Sequence, residues 1–292
     1  MPRKQTLTAL ATLAIGVAAA TSAHAACLSD VQVAEMAEHY AARTPAANPE
    51  GLSDADGACT RAKFNSLLAQ KMGKVVGYKA GLTNPAVQKR FNTDRPVWGK
   101  LYEGMVLANG AAVPATFGAR PLYEADMLVR VKSASINHAR TPMEVLESID
   151  QVIPFIELPD LMVQAPPKLN GAGVTAINVG ARLGVAGTPI AVPVTRGERY
   201  AMLDALRDMQ VTLTDGSGYL LGGGKGSDVL EHPLNAVVWL AEALQKENIT
   251  LKPGDLLSLG SFSPLLPPKP GLQVQANYQG LTGAQPVRVT FQ

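Results

Sequence analysis

The chain has little of what several common chemistries require. Of its 292 residues only two are Cys and four are His. Cys27 and Cys59 offer too few donors for zinc, and neither stands in a Cys/His motif of a thiol enzyme. There is no Gly-x-Ser-x-Gly elbow, which disfavours a standard serine hydrolase. Gly222-Gly-Gly-Lys-Gly226 lacks the Ser or Thr after Lys and the earlier Gly of a phosphate loop. Ser227 stands where Gly-x-Gly-x-x-Gly would close, so the run reads as a glycine-rich turn before a helix. A basic excess is also missing. Net charge is +2, and removing Arg3 and Lys4 takes it to 0. Nucleic-acid binding needs a basic surface, so the expected ligand is small. No internal repeat or low-complexity tail is present.

What is there begins with a leader pattern. Arg3 and Lys4 precede an uncharged apolar stretch from Leu7 to Ala20, and Ala23-His-Ala25 forms an A-x-A cleavage signal. The reading is a signal peptide over residues 1–25, with an apolar core too short for a stable transmembrane span. A twin arginine and a lipobox before Cys27 are both missing, so the expected product is periplasmic or secreted and not lipid-anchored. The other reading is a cytosolic protein with an apolar N-terminal helix. In an oxidising compartment Cys27 and Cys59 would pair. That bridge closes a loop worth roughly 3 kcal/mol on the chain-entropy model.

Periodicity predicts helices over 29–42, 60–72, 85–90, 142–148 and 232–244. The last has Pro233 in its first turn and apolar residues at 234, 237, 238, 241 and 244. His232 sits at its start, where a polar cap is the expected role. Residues 44–57, rich in Pro, Asn, Gly and Asp, read as a loop. Strands are expected at 75–80, 104–107, 123–133, 152–158, 174–180, 210–214, 256–260, 272–278 and 286–291. Few strands alternate with helices, so a mixed β core with peripheral helices fits better than a doubly wound sheet.

Three acids stand out against apolar surroundings. Glu124 and Asp126 lie in Leu122-Tyr-Glu-Ala-Asp-Met-Leu-Val-Arg-Val131, and Glu157 in Val152-Ile-Pro-Phe-Ile-Glu-Leu158. On a strand, residues i and i+2 share a face. Two like charges so close need neutralising, and a hard divalent cation does this directly. A wet strand edge is the alternative, but an acid inside Phe-Ile-Glu-Leu interrupts a run that reads as buried. Lys79, in Val75-Val-Gly-Tyr-Lys-Ala-Gly-Leu-Thr83, is either partly buried with an acidic partner or snorkels to solvent.

Together these pieces resemble the 2-keto-4-pentenoate hydratase / 4-oxalocrotonate decarboxylase group of the fumarylacetoacetate hydrolase superfamily. The resemblance runs from about Lys63 to Gln292 and rests on six stretches in order. They are Gly77 to Thr83, Phe91 to Gly99, the acids Glu124-Ala-Asp126 and Phe155-Ile-Glu157, Gly226 to Leu240, and Pro253 to Ser261. It implies an α+β fold with a mixed β core (a β-roll) and peripheral helices. It divides the mature chain into a helical extension, 26–73, and a catalytic domain, 74–292. It implies Mg²⁺ or Mn²⁺ on Glu124, Asp126 and Glu157, with Lys79, Leu82 and Ser261 binding substrate. Lys79 is also the implied catalytic residue, holding the substrate carboxylate or moving a proton. The implied activity is a lyase on a small 2-keto acid or dienol acid, hydrating or decarboxylating it through a metal-stabilised enolate. The family habit also implies a homo-oligomer. A carbon–carbon hydrolase of the same fold and a non-catalytic carboxylate-binding protein are the alternatives. The chain departs from the family pattern at Asp126 (Glu in the family), at Val97 and at Glu231 (commonly Gly).

Overall fold

The computed structural model describes residues 27–292, so the leader reading lies outside the described residues. In chain order the elements are α1 (Asp30–Ala42), α2 (Asp54–Met72), β1 (Val75–Gly81), α3 (Pro85–Arg90), β2 (Val97–Tyr102), β3 (Val106–Ala108), β4 (Ala111–Val113), β5 (Glu124–Val131), α4 (Pro142–Ser148), β6 (Ile149–Leu158), α5 (Gly171–Ala176), β7 (Leu183–Ala186), β8 (Ile190–Ala191), α6 (Arg196–Asp208), β9 (Gln210–Asp215), β10 (Leu220–Lys225), α7 (Pro233–Lys246), β11 (Leu256–Ser258), β12 (Gln273–Gln279) and β13 (Val287–Phe291). One mixed sheet runs β2-β1-β11-β5-β6-β7-β3, with β8 also paired to β6; a second runs β10-β9-β12-β13-β4. Helices lie around this β core, the α+β arrangement expected from the sequence.

β5 and β6 are the centre of the first sheet, and their alternation sorts the interior into two clusters. Ala125, Met127, Val129 and Val131 point into the larger apolar cluster, with Leu234, Val237, Leu240 and Leu244 of α7. Leu128, Ile153 and Phe155 point the other way, onto Val33, Met36 and Tyr40 of α1 and Phe64 and Leu68 of α2. The N-terminal helices thus share a core with the central strands. Arg61 of α2 strengthens this joint. Its guanidinium stacks 3.5 Å from the Trp98 ring centroid and binds Glu247 just past α7. Trp98 Nε1 donates to the same carboxylate at 3.1 Å.

Several expectations give way here. The run 174–180, read as a strand, is the buried helix α5 followed by a tight turn. A short run buried on every side has no period to distinguish helix from strand. The Asn170 side chain, which accepts from Gly173 N–H at 2.9 Å, decides for helix. Residues 54–57, read as loop, are the first turn of α2. Ser53 and Asp56 form a capping box there. The Gly222–Gly226 run is largely edge strand β10, not a turn. Gly223 lies so close to the Val211 carbonyl that a Cβ would collide with it. Helix α6 was not anticipated at all; only Met202 and Leu206 of its residues are buried.

Cys27 and Cys59 are joined as a disulfide, with Cα atoms 5.7 Å apart. Among the described residues no helix is long and apolar enough to cross a membrane.

Candidate active site

The β5–β6 register sets Glu124 directly opposite Glu157 and Asp126 opposite Phe155. Strand β11 lies between β1 and β5, with Ser258 facing Lys79 on one side and Leu128 on the other. Four ionisable groups from three strands therefore meet on one face. All are buried: Lys79 is 2% exposed, Glu124 7%, Asp126 0% and Glu157 3%. Like charges directly opposite across a sheet destabilise it, and buried charges need partners. Lys79 supplies part of the answer. Its ammonium donates to Glu157 Oε1 and to the Val179 carbonyl, the latter at 2.9 Å.

That carbonyl is aimed by unusual backbone. Asn178, Val179 and Gly180 all have left-handed φ, at 54°, 55° and 64°. A β-branched residue there is strained, by on the order of 1–3 kcal/mol. The Asn178 side chain holds the turn in place by bonding to the Lys100 backbone at both ends. Oδ1 accepts from Lys100 N–H at 2.8 Å, and Nδ2 donates to Lys100 O at 3.0 Å.

Glu124 and Asp126 differ despite their shared face. The Glu124 carboxyl opens onto a cavity of about 340 Å³, as does Glu157. Burial, then the facing Glu157, pushes the Glu124 carboxyl well above the usual carboxylate range; Lys79 partly opposes this. Asp126, one methylene shorter, is held beneath the cavity. Ser258 Oγ donates to its Oδ2 at 2.6 Å. Its Oδ1 accepts N–H bonds from Met127 at 2.5 Å, Gly260 at 3.0 Å and Leu259 at 3.2 Å. Burial, followed by Glu157, raises it to about 7, while the Ser258 and Met127 donors pull it down. Among the described residues, no three His, Cys, Asp or Glu side chains are arranged to hold a metal ion.

The structure thus gathers Lys79, Leu82, Glu124, Glu157 and Ser261 around one cavity and leaves Asp126 behind its wall. Ser261 Oγ donates to Ser263 O at 2.6 Å. Leu82 reaches the cavity with a left-handed φ of 55°. Thr83, Arg90 and Asp228 also line it, and sequence reasoning passed them over. Arg90 sits in the last turn of a six-residue helix with no buried residue, so no periodicity marks it. Val97 is buried and lines no part of this cavity.

Three carboxyl groups face one ammonium, their raised pKa values mark the lack of a further cation, and every acidic donor is an oxygen. Such a site suits a hard cation and a ligand bringing its own polar oxygens. This fold, a curled mixed sheet with peripheral helices, is that of the fumarylacetoacetate hydrolase superfamily. The solved 4-oxalocrotonate decarboxylase from Pseudomonas putida G7, complexed with magnesium and adipate, superposes with a TM-score of 0.76 at 24% identity, covering 91% of this chain and all of that one. By sequence the chain is 28% identical over 209 residues to a 2-keto-4-pentenoate hydratase of Paraburkholderia xenovorans, covering 71% of this chain and 74% of the relative. It is 26% identical over 214 residues to a 4-oxalocrotonate decarboxylase of Pseudomonas putida, covering 73% and 76%. No family model matches. These sequence relatives are hydratases and decarboxylases of the 2-keto-4-pentenoate hydratase / 4-oxalocrotonate decarboxylase group, to which the chain is similar over most of its length.

Proposed function

We propose that the chain is a divalent-metal-dependent lyase that hydrates or decarboxylates a small 2-oxo acid or dienol acid. The buried Lys79–Glu157–Glu124 group at the cavity floor carries this reading. Its clustered carboxyl oxygens fit Mg²⁺ or Mn²⁺, and the magnesium of the related decarboxylase supports the same ion here. Glu124 and Glu157 would hold it. Asp126 would join as the third ligand by exchanging its Ser258 and N–H donors, and would otherwise act through its charge alone. When bound, the ion supplies Lewis-acid polarisation of a 2-oxo group.

The remaining work falls to the chain. The Lys79 ammonium, bonded to Glu157 and the Val179 carbonyl, would hold a substrate carboxylate or deliver a proton. Ser261 offers a hydroxyl at the wall, and Leu82 confines the substrate carbon chain. The cavity, about 340 Å³, lies at the small end of ligand pockets, roughly 300–1,000 Å³. A carbon–carbon hydrolase would activate water through a His–acid pair, and among the described residues no His lines this cavity. That favours the lyase.

We also propose export to an oxidising compartment, which the Cys27–Cys59 bridge supports. The bipartite reading, helices over 26–73 and catalytic residues beyond, stands as a proposal too. So does a homo-oligomer, supported by the exposed apolar pair Tyr219 and Leu220.

The test strips the protein with EDTA, restores Mg²⁺ or Mn²⁺, and assays 2-oxo acids and dienol acids, alongside metal calorimetry on Glu124→Gln and Glu157→Gln. Metal-dependent turnover and a sharp loss of metal affinity in both variants are expected. Metal binding without turnover of any acid would leave the non-catalytic carboxylate binder. Unchanged affinity in both variants would remove this metal site.

A further inference from the structure

The cavity carries a second positive charge whose role the chemistry at its floor leaves open. Its charged lining residues are Glu124, Glu157, Asp228, Lys79 and Arg90. Glu124, Glu157 and Lys79 form the buried floor, and Lys79 is already committed to Glu157. Asp228 accepts the Lys225 N–H at 2.7 Å. Arg90 differs from all of them. It ends α3, is exposed at the cavity mouth, and makes no salt bridge among the described residues. Its guanidinium lies 5.7 Å from the ring centroid of the buried Phe91. Phe91 lines the cavity as well, so the guanidinium and the ring beside it belong to the same wall.

We infer that Arg90 is a specificity-determining residue that receives a second anionic group, a carboxylate at the far end of the substrate. The inference rests on the reading of the floor as the site of a 2-oxo acid. A substrate held there by its 2-oxo acid end points its other end toward the mouth. A methyl terminus gains nothing from a guanidinium. A carboxylate gains a bidentate, charge-assisted partner. Arg90 therefore tilts the site toward dicarboxylic 2-oxo acids over monocarboxylic ones of equal length. Lys89 is a built-in control. It is equally exposed and adjacent on the same helix, but it does not line the cavity.

The probes are 2-oxoadipate and 2-oxohexanoate, which share a six-carbon chain and differ only at the terminus. Their affinities are measured by calorimetry on the Mg²⁺-loaded protein. The wild type is expected to prefer 2-oxoadipate by about fivefold, near the upper range for an exposed ion pair. The preference should shrink with added salt. Arg90→Gln should bring the ratio close to one by weakening 2-oxoadipate alone, and Lys89→Gln should keep the wild-type ratio. Equal affinities in the wild type, or an unchanged ratio in Arg90→Gln, overturn the role of Arg90 and leave the proposed function standing. Binding of neither acid overturns both.

Discussion

Replacing Lys79 with Met tests the electrostatic reading of the floor without relying on any substrate. Met keeps an unbranched stem of similar length and removes the ammonium. The structure then holds Glu124 and Glu157 face to face across β5 and β6, with Asp126 on the same face and no cation against them. Removing one partner of a buried ion pair costs about 3–5 kcal/mol, because the other charge is left uncompensated. Domain stabilities are about 5–15 kcal/mol, so the variant should fold but unfold at clearly lower denaturant. The family reading by itself makes Lys79 a substrate residue with little part in folding; the buried pair adds a structural one.

The same reasoning predicts a rescue. A divalent cation between Glu124 and Glu157 supplies the missing positive charge, and a ligand that binds only the native state stabilises by RT ln(1 + [L]/Kd). Urea unfolding is followed by circular dichroism for wild type and Lys79→Met, each in EDTA and in saturating MgCl₂. Lys79→Met should lose several kcal/mol in EDTA and recover part of it with Mg²⁺, gaining more than the wild type does. Equal midpoints for both proteins in EDTA would refute the buried ion pair. A midpoint for Lys79→Met that ignores Mg²⁺ would refute the floor as a cation site.

Two further predictions concern stability away from the floor. The Cys27–Cys59 bridge spans 32 positions, so Cys27→Ser/Cys59→Ser should unfold about 3–4 kcal/mol earlier on the chain-entropy model. Intact mass before and after reduction checks that the bridge forms. His232 caps α7: its Nδ1 accepts the Leu234 N–H, and its Nε2 donates to Leu203 O, each at 3.1 Å. Burial lowers its pKa from the ordinary 6.5, so below that pH the unfolded chain takes up a proton that the native state resists. Stability should therefore fall as pH drops through 6.5 toward the folded value. Asp126, raised from 3.8 to about 7, acts with the opposite sign over that range. The reading is accordingly the difference between wild type and His232→Asn, a variant that keeps a cap. A pH-independent difference in unfolding midpoint would rule the cap out as the titrating element.

The sequence disclosed the parts of the fold whose signals are local. His232 is the cap expected at the start of α7, and the helices expected over 29–42 and 142–148 begin at the Ser29 and Thr141 side-chain caps. The apolar strands around Glu124 and Glu157 are both found, the first three residues shorter than expected and the second three residues longer at its start. What stayed hidden depended on long-range packing. Helix α5 owes its state to complete burial, and β10 is a glycine run made a strand by its partner β9. At the site, alternation could place Glu124 and Asp126 on one face, but only the register could set Glu157 opposite Glu124. The Val179 carbonyl that fixes Lys79 comes from a left-handed turn about a hundred residues downstream, which no strand or helix pattern announces. Glu231 is instructive in the other direction. Its φ of 66° shows that the position requires left-handed backbone, which explains why Gly is common there in the family.

Asp126 shows most clearly how a one-carbon change propagates. A carboxylate on a β5 position facing the cavity can look outward to a ligand or back to the turn after β11. The turn offers strong inducements: a Ser258 hydroxyl and the N–H groups of Leu259 and Gly260, all within 3.2 Å. Gly260 can point its N–H there because it has no side chain. Its φ is 101°, and a Cβ would meet the Thr83 hydroxyl. A longer acid would carry its carboxylate past these donors toward Glu124 and Glu157. With Asp, the reach of the side chain matches the depth of the turn, and four protein donors saturate it. The chain thereby has a carboxyl group where the family pattern has its second acid, with the oxygens turned out of the cavity. The proposed divalent site would then have two carboxylates at the cavity, Glu124 and Glu157, in place of three, and more of the ion's coordination would fall to substrate oxygens and water. A site so built should hold its metal more weakly alone than with a chelating 2-oxo acid, since each chelating oxygen fills a position the protein leaves open.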